Sequence, residues 1–363
     1  MLITVLGASG FIGSAVTAEL ALHGARLRTV SRRPALEVPG AEHRIADVTE
    51  PGRLAEAVAG SDAVIHLVAE LSGTGTANWR AAGDGPAARL MEDLVGALAD
   101  GRAGRGGTGR RTEAGPRAKA DGGSGAGGRA EDGRPGAVGC HGAAGRPGGP
   151  PPVVLFASTV PPCGPGAPTP YERGKRAAEQ VLERATARGA VRGISLRLPT
   201  VYGPATTGAG AADRGVVSAM ARRAAAGDPI TLWHDGTVRR DLLYVRDAAA
   251  AFAAALGHAD ALAGTHWDVG TGDSLPLGEV FHALAGVVAA RTGRPPVPVL
   301  RVEAPPYAAA ADFRDVTADP APFRTATGWA PRVPLPEGLA RTAAALTGGT
   351  PGIPGNPGKD DRA

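Results

Sequence analysis

The chain has 363 residues, of which 43% are apolar and 20% charged, with a formal net charge of +4. Such a length supplies two or three packed domains with real cores. No apolar run approaches the roughly 18 to 20 residues of a membrane span, and the longest candidate is the short alanine-rich stretch from Ala248 to Leu256. Two cysteines, Cys140 and Cys163, can build neither a disulfide framework nor a cysteine-based zinc site, so no metal is expected. The opening MLITVLGASG lacks the basic segment of a signal peptide and runs directly into glycines, which makes the cytoplasm the expected compartment.

Taken in order, Leu2 to Leu6 is a continuous apolar run ended by glycine, as a buried parallel strand requires, and Phe11 to His23 follows with helical spacing. Leu27 to Val30, His43 to Ile45 and Ala63 to Leu67 read as further strands, alternating with helices over Pro51 to Ala59 and Pro86 to Ala99. After residue 150 the pattern resumes with a strand (Val153 to Ala157), a helix (Tyr171 to Arg188) and a strand (Val191 to Leu198). This alternation predicts an α/β fold with a doubly wound parallel sheet over 1–100 and 151–200. Beyond Pro199 it loosens into helices at Gly215 to Ala226, Arg246 to Leu256 and Leu277 to Ala290 and a strand at Ile230 to Leu232. Residues 201–347 therefore read mainly as a smaller mixed domain laid against the sheet, with returns to it.

Residues 101–150 differ in kind. They hold 18 of the 55 glycines, and Val138 is their only large apolar residue, so disorder is expected there. Eight arginines and one lysine face four acids, a surplus that exceeds the net charge of the whole chain. The basic balance thus belongs to the insert, which argues against a nucleic-acid-binding folded part. The insert reads as a solvated loop, an arginine-rich arm for acidic partners, or a frame-shifted stretch of a GC-rich gene. Residues 348–363 read as a flexible tail.

Gly7, Gly10 and Gly13 stand at the first strand-to-helix junction, where glycines let backbone approach a pyrophosphate and the helix N-terminus faces its charge. Ser9, Phe11 and Ile12 complete this turn. At the end of the second strand Ser31, Arg32 and Arg33 appear with no acid before Glu37, which favours a 2′-phosphate and hence NADP(H). Asp47 and Val48, and Leu67, Val68 and Ala69, are placed to border adenine and ribose. Tyr171 and Lys175 stand one helical turn apart, although the chain has only four tyrosines and three lysines. A nearby ammonium is expected to lower the phenol's pKa and to hold a ribose hydroxyl, making tyrosine the acid or base. Ser158 and Thr159, at the end of the preceding strand, are candidates to hydrogen-bond the same carbonyl oxygen.

GASGFIG, Ser158-Thr159, Tyr171-Glu172-Arg173-Gly174-Lys175, RLPTVYGP at 197–204 and RRDLLYVRDAA at 239–249 occur in that order. Together they resemble the extended short-chain dehydrogenase/reductases, the sugar-nucleotide epimerases and dehydratases. The stretches TLWHDGTVRRDLLYVRD and ADRGVVSAMARRA are similar to nucleoside-diphosphate-hexose 4-ketoreductases of actinomycete deoxysugar pathways. The resemblance implies a Rossmann domain, with Thr159 as the catalytic hydroxyl, Tyr171 as proton donor and Lys175 as the ribose-binding lysine. It also implies Pro199 and Val201 at the nicotinamide, Thr200 and Trp233 at the substrate, Arg240 at the diphosphate, and a homodimer through the helices at 86–99 and 171–188. Two departures stand out: only twelve positions separate Thr159 from Tyr171, about half the family's usual spacing, and Val160-Pro161-Pro162-Cys163 replaces its usual ending.

Dehydratases of the family carry an Asp-Glu pair where Val160 and Pro161 stand, so dehydration is disfavoured. Arg32 and Arg33 fit NADPH that exchanges rather than a retained NAD. The expectation is reduction of the C4 ketone of a nucleoside-diphosphate-4-keto-6-deoxyhexose. The alternatives are sugar-nucleotide epimerisation or reduction of another ketone, and a non-catalytic NADP(H)-binding regulator.

Overall fold

The computed structural model describes residues 1–35, 37–68, 85–106, 149–205 and 215–347. The expected disorder of the insert and of the 348–363 tail falls on residues outside that set, apart from 101–106 and 149–150, as does Ala69 of the expected coenzyme site.

The first part of the chain runs β1 (Leu2–Leu6), α1 (Phe11–Leu22), β2 (Arg26–Ser31), β3 (Glu42–Ile45), α2 (Arg53–Val58), β4 (Ala63–His66), α3 (Gly85–Gly106), β5 (Val153–Thr159), α4 (Pro170–Ala187) and β6 (Arg192–Leu198). α3 continues past the expected end at Ala99, so residues 101–106 are helical and the insert leaves the fold later than composition suggests. The second part adds β7 (Thr200–Tyr202), α5 (Val216–Ala226), β8 (Ile230–Leu232), β9 (Arg239–Tyr244), α6 (Val245–Gly257), α7 (Ala259–Leu262), β10 (His266–Asp268), β11 (Ser274–Pro276), α8 (Leu277–Thr292), β12 (Val299–Arg301), a 3₁₀ turn at Ala310–Phe313, α9 (Ala321–Thr327) and α10 (Leu335–Leu346).

Seven strands form one parallel sheet in the order β10-β6-β5-β4-β1-β2-β3. The central strands β1, β4 and β5 are buried and largely apolar on both faces because both are covered, whereas the edge strand β3 is mostly exposed. On one face Ile3, Val5, Ile65, Leu155 and Ala157 pack with α1 and α6, and on the other Leu6, Val30, Val64, Val154 and Phe156 pack with α2, α3 and α4. This is a doubly wound Rossmann-type sheet. α6 and β10 lie far along the chain yet belong to it, α6 burying Ala248, Ala251 and Phe252 against α1.

The remaining elements build a separate core. β11-β9-β7 and β12-β8 form two small sheets, over which α5, α8 and α10 bury Val217, Phe281, Leu284 and Leu339 around Tyr202 and Tyr244. Asp241, fully buried on β9, fixes this unit to the chain that follows β10. Its carboxylate accepts from Thr271 N (3.0 Å), Thr271 Oγ1 (2.7 Å) and Gly272 N (3.1 Å). The acid of the RRDLL stretch is thus a structural tie; the cleft in which open α/β sheets bind their ligands lies beyond the C-terminal ends of the large sheet's strands.

Candidate active site

The glycine turn after β1 is built from backbone. Gly7 adopts φ +84°, and a Cβ there would lie 3.0 Å from the Leu67 carbonyl carbon at the end of β4. At Gly13 a Cβ would meet the Gly7 oxygen at 2.1 Å, so a side chain at this position would fill the cradle. α1 begins at Gly10 with no side-chain cap and no acid in its first turn, and therefore offers its amides and positive dipole end to an anion. Ser9, Gly10, Phe11 and Ile12 are all partly open. These features fit the pyrophosphate of a dinucleotide.

At the end of β2, the buried Ser31 hydroxyl donates to Arg33 O at 2.6 Å and shapes a turn that leaves Arg32 and Arg33 exposed. Asp47 sits beside them, 3.9 Å from Arg32, and accepts from both the amide (3.0 Å) and the hydroxyl (2.7 Å) of Thr49, which holds its carboxyl below the usual range. Val48 is buried behind it, while Leu67 and Val68 line the end of β4 with partial exposure.

α4 owes its start to a reciprocal cap. Thr169 Oγ1 accepts from Glu172 N at 3.2 Å, Glu172 Oε2 accepts from Thr169 N at 2.8 Å, and Pro170 occupies the first turn. Tyr171 and Lys175 consequently project from the first two turns over the end of β5. Lys175 is buried: its Nζ donates to Ala157 O at 2.7 Å, lies 4.6 Å from the Phe156 ring centre and 5.7 Å from that of Tyr171. Burial lowers the ammonium to about 8, opposed by the attraction of Glu179 one turn on. Glu179 is held in a two-point pair with Arg197 of β6 (2.9 and 2.6 Å), locking α4 to the sheet.

The phenol behaves differently from the sequence expectation. Desolvation pushes the phenol up to about 12, although the residue as a whole keeps 39% of its surface exposed. The ammonium does not lower it because Lys175 is turned onto the Ala157 carbonyl and the Phe156 face, and desolvation prevails. His66, buried beside Phe156 with ring centres 5.3 Å apart, is driven to about 3 by burial and then by the charge of Lys175. It is neutral, with Nδ1 placed to accept from Val68 N at 3.3 Å. The sequence reading missed it, although a polar residue ending an otherwise apolar strand was its signal.

Two hydroxyls end β5. Val154 and Phe156 face α3 and α4, so alternation puts Ser158 on the Lys175 side. Its Oγ is buried and has no partner among the described residues. Thr159, half-buried, reaches the Val160 carbonyl at 3.5 Å. Pro199, Thr200 and Val201 follow β6 with partial exposure, bordering the same edge.

Across the cleft, Trp233 meets Tyr307 edge-on at 5.7 Å, and Tyr307 is 43% exposed. Arg240, expected at a diphosphate, has both Nη atoms on backbone carbonyls: Nη1 on Arg239 and Arg314, Nη2 on Ala311 (3.2 Å) and Asp312 (3.0 Å). It reaches the cleft wall but is tied to the 311–314 chain.

A parallel sheet with a glycine cradle, a Tyr-x-x-x-Lys pair and a hydroxyl-bearing strand end is the arrangement of the dinucleotide-binding short-chain class. The chain belongs to the NAD dependent epimerase/dehydratase family, whose model matches residues 3–98 and 144–270 and is interrupted over much of the insert. It is 33% identical over 174 residues to a UDP-glucose 4-epimerase of Mycolicibacterium smegmatis, covering 48% of this chain and 51% of that protein. It is also 39% identical over 77 residues to a dihydroflavonol 4-reductase of Hordeum vulgare, 22% of whose length is matched. The chain thus spans about half or less of these relatives. Its fold is similar to that of UDP-glucose 4-epimerase from Thermotoga maritima with UDP-glucose (TM-score 0.68, 21% identity, 95% of this chain and 98% of that one). It also resembles the Thermus thermophilus UDP-glucose 4-epimerase complex with NAD (TM-score 0.66, 22% identity, 96% and 100%).

Proposed function

We propose that the protein reduces the C4 ketone of a nucleoside-diphosphate-4-keto-6-deoxyhexose with NADPH. The observation that carries this reading is geometric: Arg32 and Arg33 stand exposed at the end of β2, where they suit a 2′-phosphate and so a reductant that exchanges, while Tyr171 and Lys175 stand together over the end of β5. Epimerisation instead recycles a retained coenzyme.

The cradle of Gly7, Gly10 and Gly13 and the first turn of α1 would hold the pyrophosphate, and Arg32 and Arg33 the 2′-phosphate. Asp47, Val48, Leu67 and Val68 would border the adenosine, and Pro199 and Val201 the nicotinamide. When bound there, NADPH would supply the hydride for C4. Tyr171 hands its proton to the C4 oxygen as the electron pair of the carbonyl collapses onto it. Lys175 would hold a ribose hydroxyl of the coenzyme, and the phenolate recovers its proton from solvent. Ser158 and Thr159 polarise the ketone, a role in which one positioned donor is worth about 10²-fold. Trp233 and Thr200 flank the sugar nucleotide.

The UDP-glucose 4-epimerases among the relatives favour a second reading, C4 inversion with a retained coenzyme. Incubation with NADPH and dTDP-4-keto-6-deoxyglucose separates the two. The proposal expects loss of NADPH absorbance and a new C4 alcohol by NMR. A sugar inverted at C4 from a 4-hydroxy substrate, with no reductant consumed, supports the second.

A further inference from the structure

The chain from 309 to 316 touches both walls of the cleft. On the substrate side it pairs with β9: Val316 N donates to Arg239 O (3.1 Å), Asp241 N to Val316 O (2.8 Å) and Arg239 N to Asp315 Oδ1 (2.8 Å), and Arg240 grips the carbonyls of Ala311, Asp312 and Arg314. On the catalytic side Cys163 N donates to Asp315 O at 2.7 Å. Arg314 reaches further. Its Nη2 lies 3.9 Å from Glu172 Oε2, and it packs on Gly166 so closely that a Cβ there would fall 2.7 Å from Nη1. Its side chain is 16% exposed, and its Nε is buried with no partner among the described residues.

We infer that Arg314 is a positioning residue for Tyr171, acting through Glu172, and that the 309–316 segment transmits occupancy of the diphosphate site to the catalytic helix. Glu172 closes the α4 cap and is the immediate neighbour of Tyr171, so a guanidinium seated against it and against Gly166 sets where the first turn and the short 160–169 loop stand. Arg240 links this to substrate. Phosphate oxygens are stronger acceptors for a guanidinium than neutral carbonyls. A bound diphosphate therefore draws Arg240 off the 311–314 carbonyls and changes the seat of Arg314. Binding energy from the non-reacting end of the substrate is then used at the reacting end, which predicts that ketones lacking the diphosphate lose kcat as well as affinity.

This inference rests on the reading of the site as a sugar-nucleotide reductase, and its test is arranged so that the two fail separately. Hydrogen exchange of the apo protein is followed at the 163–172 amides in wild type, Arg314→Ala and Gly166→Ala, alongside NADPH affinity. Both variants are expected to exchange about tenfold faster there, with NADPH affinity within about twofold of wild type. With dTDP-4-keto-6-deoxyglucose, Arg314→Ala is expected to lose about 10- to 100-fold in kcat, and Arg314→Lys, which keeps the charge but spans less, to recover part of it. Unchanged exchange at 163–172 overturns the inference, as does a loss of NADPH affinity equal to the loss in kcat. Faster exchange in the variants together with a wild type that does not consume NADPH overturns the reductase reading alone.

Discussion

At Gly7, Gly10 and Gly13 the cleft wall is backbone, held by strand-end hydrogen bonds such as Gly7 N to Val30 O (2.8 Å) and by approaches that leave no room for a Cβ. Across the cleft, at 309–316, the wall is held by arginine side chains on carbonyls and carboxylates. The first construction has one geometry, and the proposed function gives it the coenzyme. The second consists of donors that a phosphate could claim, and the same proposal gives it the substrate. Tyr171 lies on a helix pinned to the sheet at Glu179 and to the 309–316 chain at Glu172.

That contrast can be broken at several points. The largest effect is expected from Tyr171→Phe, which should lower kcat by about 10³-fold or more while NADPH titration stays within about twofold of wild type. On the backbone side, Gly13→Ala should abolish measurable NADPH binding and lower stability by about 2 kcal/mol or more, since the intruding atom meets a carbonyl that cannot yield. Urea unfolding and fluorescence titration check both consequences. Glu179→Gln leaves Arg197 buried without its counter-charge and should cost about 2 to 4 kcal/mol in urea unfolding.

Exchanging the hydroxyls sharpens the assignment within the site. Ser158→Ala and Thr159→Ala should each reduce kcat by about 10- to 100-fold with small effects on NADPH affinity. A loss confined to Ser158→Ala would make the hydroxyl on the Lys175 face the operative one.

The smallest effect is in the pH profile. Lys175 is lowered to about 8, so kcat/KM should fall above that pH as the ammonium is lost, whereas Tyr171 near 12 adds no limb below it. Stability runs the other way. Between about 8 and the ordinary lysine value the unfolded chain binds the proton that the folded chain has released, so this group makes stability rise with pH through that window. His66, lowered to about 3, gives the same sign at acid pH: its contribution is complete above the ordinary histidine value and is lost as pH falls toward 3.

The parts of this arrangement that local sequence could reveal are those with a periodic or punctuated cause. Leu2–Leu6, apolar apart from Thr4, and the apolar Val153–Ala157 are buried because both sheet faces are covered, and the turn glycines and the Tyr171–Lys175 spacing mark the candidate site. The three-residue strands β7, β10, β11 and β12 are too short to carry a period, and β10 joins the large sheet only through long-range pairing with β6. The raised phenol was also out of reach, because it depends on Lys175 turning toward Ala157 O. So were Arg314 and its seat on Gly166, which join residues about 150 positions apart. The cap Thr169-Pro170-Tyr171-Glu172 was readable as a helix start and locates the tyrosine more firmly than the spacing to lysine does.

The most direct test of the central claim is a balance sheet for one reaction: purified protein, NADPH and dTDP-4-keto-6-deoxyglucose, with reductant followed by absorbance and the sugar by NMR. Reduction predicts one NADPH oxidised for each C4 alcohol formed, and neither event with Tyr171→Phe. Product formed without NADPH loss, or undiminished turnover in the phenylalanine variant, would contradict it.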